Sequence, residues 1–380
     1  MGNNNKELAF LFGAGVSIPA GFLSTSQLTK EMLTREDIIR IHGGGGWTKE
    51  DKFNAYPKEL NFYADYNRRI KQLFIILENY FSNYFDALFR KMSYEDYYYI
   101  IDSINSDESG NYENSIVDFF SRYLEKMHPE LFKPLHRGLH KVNLIELTTE
   151  AKEYIHYSVA DNLYKEPTSL KHFDFLNTIA RSNIYGVIHL FTLNHDILLE
   201  NYLDINGIQY SDGFTIDTNG ETVWNLNNFT KSFCIYKLHG SINWIKNNNK
   251  IKNDYRIIKS FSKVAMPLIL LGTFNKLSEY SRDIAFELQH LFYNILKRVN
   301  TLIISGYSLG DQGINSRIID WHYKSSKNKI ILIHPKPDEL KKSSRSAFRK
   351  EWDKWIENNT LQLIPKSIQN ISWEEIKTLL

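Results

Sequence analysis

The stretch ELAFLFGAGVS, residues 7–17, places a short unbroken apolar run directly before a Gly-Ala-Gly turn and a serine. It reads as a buried strand that ends in a tight turn. Five later segments share its character: GVIHLFTLN (186–194), FCIYKLHG (233–240), PLILLG (267–272), TLIISGYSLGD (301–311) and KIILIHP (329–335). None alternates apolar with polar residues, as strands with one wet face do. Continuous apolar runs are expected of parallel strands covered on both faces. Helical patterns over 279–299 and 312–325 lie between several of them, and this alternation predicts an α/β fold, an open, doubly wound, mostly parallel Rossmann-like sheet. Ligands of such sheets bind beyond the carboxyl ends of the strands.

Polar groups gather at those ends. Gly13, Ala14 and Gly15 would let backbone N–H groups approach a phosphate, and Ser17 adds a hydroxyl. A dinucleotide fingerprint would want a third glycine at position 18, where Ile18 stands, so a tight structural turn is an equal reading. Asn194 and Asp196 are read as alternating along one strand end and sharing a cleft, with His195 facing away. Asp196 also suits the cap of the helix that follows. His239 precedes Gly240, Gly306, Tyr307 and Ser308 form a second glycine and hydroxyl turn, and His334 ends the last strand.

Between about 50 and 180 the pattern changes. Tyr66, Ile70, Leu73, Phe74, Leu77, Tyr80, Phe81, Tyr84, Phe85 and Leu88 recur every three or four residues, the apolar stripe of a long helix. Ser93 and Asp96 have the spacing of a capping box. Segments 147–164 and 168–182 also read as helices. The expected organisation is therefore a catalytic domain of residues 1–49 and 181–380 and a helical insertion of 50–180. A helix is expected from Ser24 or Ser26 to the glycine run 43–46, which lacks the Lys-Ser/Thr of a nucleoside-triphosphate loop.

Bulk properties narrow the classes. The 380 residues are 24% charged and 42% hydrophobic, with a net charge of +2, so nothing global calls for nucleic acid or an acidic membrane. The basic stretch Lys341–Lys354 reads as a solvated helix face. Cys234 is the one cysteine, which excludes a disulfide framework and a multi-cysteine zinc site. The polar start and the lack of an apolar run of about 18 residues point to a cytoplasmic protein.

Taken in order, the strand-end residues resemble the sirtuins. That family has a Gly-Ala-Gly-x-Ser turn, a Thr-x-Asn-x-Asp strand end, a His-Gly, a Gly-Thr-Ser turn and a late ribose-binding strand. Here these correspond to Gly13–Ser17, Thr192 to Asp196, His239-Gly240, Gly306 to Ser308 and the LIHP strand. The departures are the absent zinc cysteines, Phe22–Ser26 in place of the Ile-Pro-Asp-Phe-Arg segment, and the aromatic insertion. In these respects the chain is similar to the zinc-free sirtuin-like proteins of bacterial anti-phage systems, in particular the subunit that assembles with a HerA-type ATPase. The resemblance implies an NAD+ hydrolase (NADase) that depletes NAD+ in abortive infection and is gated by assembly. It implies Asn194 and His239 as catalytic, and Gly13, Ala14, Gly15, Ser17, Asp196, Gly306, Tyr307, Ser308 and His334 as NAD+-binding. It also implies a homo-oligomer, a HerA-type partner and no metal. Membrane and direct nucleic-acid binding are not expected. An NAD-dependent protein deacylase and a non-enzymatic NAD or ADP-ribose module remain alternatives.

Overall fold

The computed structural model describes residues 6–40, 46–49, 61–88, 90–133, 141–249, 254–260, 266–272 and 283–380. The chain divides into two compact units. One comprises Met1–Ser24, Leu163–Leu270 and Lys276–Leu380, and the other comprises Thr25–Asn162 with Leu271–Asn275.

The first unit is built on a seven-stranded sheet. In chain order its strands are β1 (Glu7–Phe12), β4 (Val187–Thr192), β5 (Tyr210–Ser211), β8 (Phe233–Lys237), β11 (Thr301–Ser305), β12 (Lys329–Ile333) and β13 (Leu361–Ile364). The spatial order is β13-β12-β11-β1-β4-β8-β5, and every pairing is parallel. Continuous apolar strands follow from the layers they separate. Ala9 and Leu11 of β1 join Leu302 and Ile304 of β11 in one core, with Phe292, Trp321 and Trp352 from the helices Asp283–Leu296, Gln312–Lys324 and Ser346–Glu357. Leu8, Phe10 and Phe12 point the other way, into a core with Leu176, Leu203 and Ile376 from Asp174–Ser182, Leu198–Ile205 and Trp373–Lys377. Alternate side chains thus fill opposite layers, and helices cover both faces. The sheet is the doubly wound one expected.

A smaller antiparallel sheet in the same unit has the order β6-β7-β10-β9, from Phe214–Ile216, Thr222–Trp224, Asp254–Lys259 and Trp244–Asn249. The segment PLILLG, expected as a strand, contributes one isolated bridge between Ile269 and Gly240.

The second unit begins earlier than the expected insertion and ends earlier, so the short helices at Lys171–Ser182 belong to the first unit. The helix at its start stops at Thr34, and Ile38–Arg40 and Trp47–Lys49 pair as an antiparallel hairpin, β2 and β3. β-branched Ile38 and Ile39 favour this extended state over continued helix. Residues 43–45 of the glycine run lie outside the described residues. Long helices follow at Asn61–Ala87, Tyr94–Glu108, Ser115–Met127 and Leu144–Leu163. Ser93 and Asp96 form the expected capping box. The apolar stripe is buried over its first half, where Phe74 packs on Tyr97 and Tyr154. Its second half is mixed: Phe85 is buried and Tyr80 and Phe81 pack on Phe120, while Tyr84 is 61% exposed. The amphipathic helix Ser115–Met127 likewise exposes Ile116, Phe119 and Met127. No helix among the described residues is long and apolar enough to cross a membrane.

Candidate active site

Strand order locates the crevice. From β1 the chain builds β4 and β8 on one side, then returns to build β11, β12 and β13 on the other. The direction of growth reverses between β1 and β11, the switch point where open α/β sheets bind ligands. The two glycine turns meet there. Gly13 N–H donates to Ser305 O at 3.0 Å, and Gly15 N–H to Gly306 O at 2.9 Å.

This contact corrects one sequence-based expectation. The N–H groups of Gly13 and Gly15 are committed to the neighbouring turn, not open to a phosphate. A Cβ on Gly13 would lie 2.6 Å from Gly306 O, and one on Gly15 would lie 2.7 Å from Gly306 Cα. Backbone proximity accounts for these glycines without a ligand. Ala14 and Ser308 remain the exposed members of the two turns.

Tyr307 is also redirected. Its ring is buried, its hydroxyl accepts the Asp311 N–H at 3.0 Å, and it lies 2.9 Å from Asn315 Oδ1, to which it donates. Burial raises its pKa well above the phenolic range. Tyr307 therefore shapes the turn from within. His334 stands half-buried at the end of β12, its Nδ1 accepting the Lys336 N–H at 3.1 Å, and burial lowers its pKa.

The second group of residues follows β4, which ends at Thr192. Asn194 and Asp196 lie in the loop beyond it, not on the strand, yet they converge on one atom. Ser17 Oγ donates to Asp196 Oδ2 at 2.6 Å, and Asn194 Nδ2 donates to Ser17 Oγ and to Gly13 O, both at 3.0 Å. All three side chains are buried. Asp196 Oδ1 also accepts Leu198 N–H at 3.1 Å, so the carboxylate serves the helix start as well. The cap position itself is Ile197, so Asp196 supports the helix start from one residue outside it.

His239 follows β8. It is buried, and its Nε2 lies 3.1 Å from Asp311 Oδ2. The other oxygen of Asp311 caps the helix Gln312–Lys324 by accepting Ile314 N–H at 3.0 Å. GYSLGD reads in sequence as a turn, and its pattern does not reveal Asp311 as a partner of His239. The available signal was an N-capping aspartate directly after a strand-end turn. His195 was expected to face away, but its ring lies 6.3 Å from that of His239, and its carbonyl accepts Ile242 N–H at 2.9 Å. Those contacts tie the two loops together.

Chemically, the arrangement offers an imidazole beside a carboxylate and an amide–hydroxyl–carboxylate cluster along one edge of one sheet. Among the described residues, the one group of carboxylates within metal-ligand reach is Asp107, Glu108 and Asp118, on the other unit. Arg122 pairs there with Glu108 and Asp118, both at 3.2 Å.

No curated protein sequence matches the chain significantly. Among solved structures it is similar to a Sir2 homologue in complex with NAD, at 12% identity and a TM-score of 0.41, covering 98% of this chain and 89% of that one. It is also similar to a mutant Sir2 homologue in complex with 2′-O-acetyl ADP ribose, at 12% identity and a TM-score of 0.40, covering 98% and 92%. Residues 188–357, the stretch that carries Asn194, Asp196, His239, Gly306 and Asp311, match the SIR2-like domain family.

Proposed function

We propose that this chain is an NAD+ hydrolase that cleaves the bond between nicotinamide and ribose. The reaction consumes one water and yields nicotinamide, ADP-ribose and a proton. The observation that carries the reading is the gathering of Ser17, Asn194, Asp196, His239 and Asp311 at the carboxyl edge of one parallel sheet, all but Ser17 within the SIR2-like match. The polar ends of β12, β11, β1, β4 and β8 span four inter-strand gaps, about 19 Å at ~4.8 Å each. An edge of that length suits an extended dinucleotide better than a single nucleotide.

Cleavage of such a bond passes through an oxocarbenium-like state, as glycoside hydrolysis does. The protein needs to grip both ends, accept the leaving amide and place a water. Asp196 would hydrogen-bond the nicotinamide carboxamide, while Asn194, fixed by Ser17 and Gly13 O, would hold the ribose and orient the water. His239 would take the water's proton directly or through a ribose hydroxyl. Asp311 would hold the imidazole in place and stabilise the imidazolium that results. Ala14, Ser308 and His334 would contact phosphate and ribose. No metal has a part in this scheme.

By the resemblance, such an enzyme would act in the cytoplasm in anti-phage defence, held quiet until assembly changes. The exposed Phe119 and Ile116 would then serve homo-oligomerisation, with a HerA-type ATPase as heteropartner. Exposed apolar patches of this kind mark interaction surfaces.

The test is mass spectrometry of NAD+ incubated with the pure chain, with and without an acetylated peptide and with and without candidate ATPase partners. Free ADP-ribose is expected. O-acetylated ADP-ribose formed only with peptide would establish a deacylase instead. Binding without turnover under every condition would leave a binding module. Asn194→Ala and His239→Ala should each nearly abolish turnover, since positioned proton transfer alone contributes about 10²–10⁴-fold. Wild-type turnover in both variants would overturn the assignment.

A further inference from the structure

Lys237 is the last residue of β8, and its side chain is 1% exposed. A lysine buried so completely within an otherwise apolar strand calls for a reason. Its Nζ donates to the carbonyl oxygen of Asp196 and pairs with Glu200 Oε1 at 3.2 Å, an ion pair without hydrogen-bond geometry. Glu200 is itself buried, in the first turn of the helix Leu198–Ile205, where the helix dipole favours a negative charge. The first backbone bond of that helix runs from Asn201 N–H to Ile197 O, at 3.0 Å. The Asp196 carbonyl lies one residue ahead of that ladder, and the ammonium supplies a donor that the helix does not.

A second pair stands close by. Lys259 pairs with Asp212, whose other oxygen accepts Phe214 N–H at 3.3 Å. Burial pulls the Lys259 pKa down, but Asp212, Glu200 and Asp204 outweigh it and raise the group overall. The two lysines and two carboxylates Lys237, Lys259, Glu200 and Asp212 therefore balance in charge. Such a set is tolerated in a core because each charge is compensated, and removing one member strands its partner.

We propose that Lys237, with Glu200 as its counter-ion, is a positioning residue that fixes the Asn194–Asp196 loop by carrying the Asp196 carbonyl. The loop has two anchors of opposite kind. Ser17 takes the side chains of Asn194 and Asp196, and Lys237 takes the main chain. An apolar residue at 237 could fill the same volume but would leave a buried carbonyl without its donor. The catalytic part of this inference rests on the NAD+-hydrolase reading, whereas its structural part does not.

The experiment compares wild type, Lys237→Met and the double variant Lys237→Met with Glu200→Leu. The single variant leaves a buried carboxylate uncompensated and is expected to be markedly less stable. Replacing both charges by apolar residues of similar volume should recover most of that loss, short of the cost of the orphaned Asp196 carbonyl. Hydrogen exchange followed by mass spectrometry should then show faster exchange at residues 193–198 in the double variant, with β4 and β8 unchanged. Its kcat for NAD+ should fall about 10²-fold, the effect of small misplacements of reacting groups, with less change in KM. Unaltered exchange at 193–198 in a stable double variant would overturn the proposal whatever the enzyme does. Altered exchange with wild-type kcat would overturn its catalytic part. A wild type without NAD+ turnover, alone or with partners, would overturn the hydrolase reading and the catalytic part resting on it, leaving the loop anchor to be judged by exchange alone.

Discussion

Gly306→Ala tests the interlock of the two glycine turns without reference to any activity. Gly306 has φ of +66°, and Gly207 provides a matched control at +65°. A Cβ on Gly207 meets nothing within 4 Å, so Gly207→Ala should carry only the left-handed penalty, about 1–2 kcal/mol. A Cβ on Gly306 lies 2.5 Å from Val16 N, 2.8 Å from Gly15 C and 2.9 Å from Gly13 O. All three are backbone atoms, so no rotamer change relieves the overlap. Forced overpacking of this kind adds about 1–3 kcal/mol. Gly306→Ala should thus cost about 2–5 kcal/mol, and its excess over Gly207→Ala measures the interlock alone. Because the chain has two compact units, global denaturation would blur the comparison. Native-state hydrogen exchange at β1 and β11 amides reports the affected unit directly. A cost within about 0.5 kcal/mol of the control would refute the described contact between the turns.

Asp311→Asn keeps a good helix cap but removes the charge facing His239, so stability should change by less than about 0.5 kcal/mol, whereas Asp311→Ala should lose about 1 kcal/mol of capping. Nicotinamide release should fall about 10²–10⁴-fold in both, and undiminished release in Asp311→Asn would remove the carboxylate from the mechanism. His172 is buried beside Phe173, and desolvation holds its pKa at about 4 against the ordinary 6.5. The unfolded chain therefore binds a proton that the fold resists, and stability falls as pH drops from about 6.5 to about 4. This amounts to at most about 3 kcal/mol. His172→Phe should flatten that limb in urea titrations, and an unchanged limb would show that other groups cause it. Chelator treatment should leave NAD+ cleavage intact, and loss of activity restored by zinc alone would overturn the metal-free scheme.

The strands of the large sheet were legible where burial on both faces left an unbroken apolar run, as in LAFLF and IILI. Strands at its margins were not. Tyr210–Ser211 is two residues long, and LQLI of β13 carries a glutamine because an edge strand has a wetter surface. The four-stranded antiparallel sheet escaped notice for the same reason, its strands being short or polar, as in WIKNNN. Glycine, serine and histidine at strand ends could be read because the turn chemistry is local. Which atoms meet across 179 residues, as Ser17 and Asp196 do, could not. Lys237 was read past as part of FCIYKL, although a charge in such a run was itself the signal. The expected division at 50 and 180 differed from the compact units at 25 and 162 because helix periodicity marks helices, not the unit they pack in.

The position of β1 has a consequence for how the molecule is made. Its neighbours in the sheet are β4, about 180 residues later, and β11, about 290 residues later. At roughly 5–20 residues per second, a ribosome needs about 9–36 s after β1 to deliver the first partner and about 15–60 s to deliver the second. Until β4 arrives the segment LAFLF, rich in phenylalanine and without a charge, has no edge to join. The helices of Thr25–Asn162 depend on nearer contacts and can form while it waits. Assembly of the sheet is thus a late event around an early strand. The period before β4 arrives is when the nascent chain has most need of a chaperone.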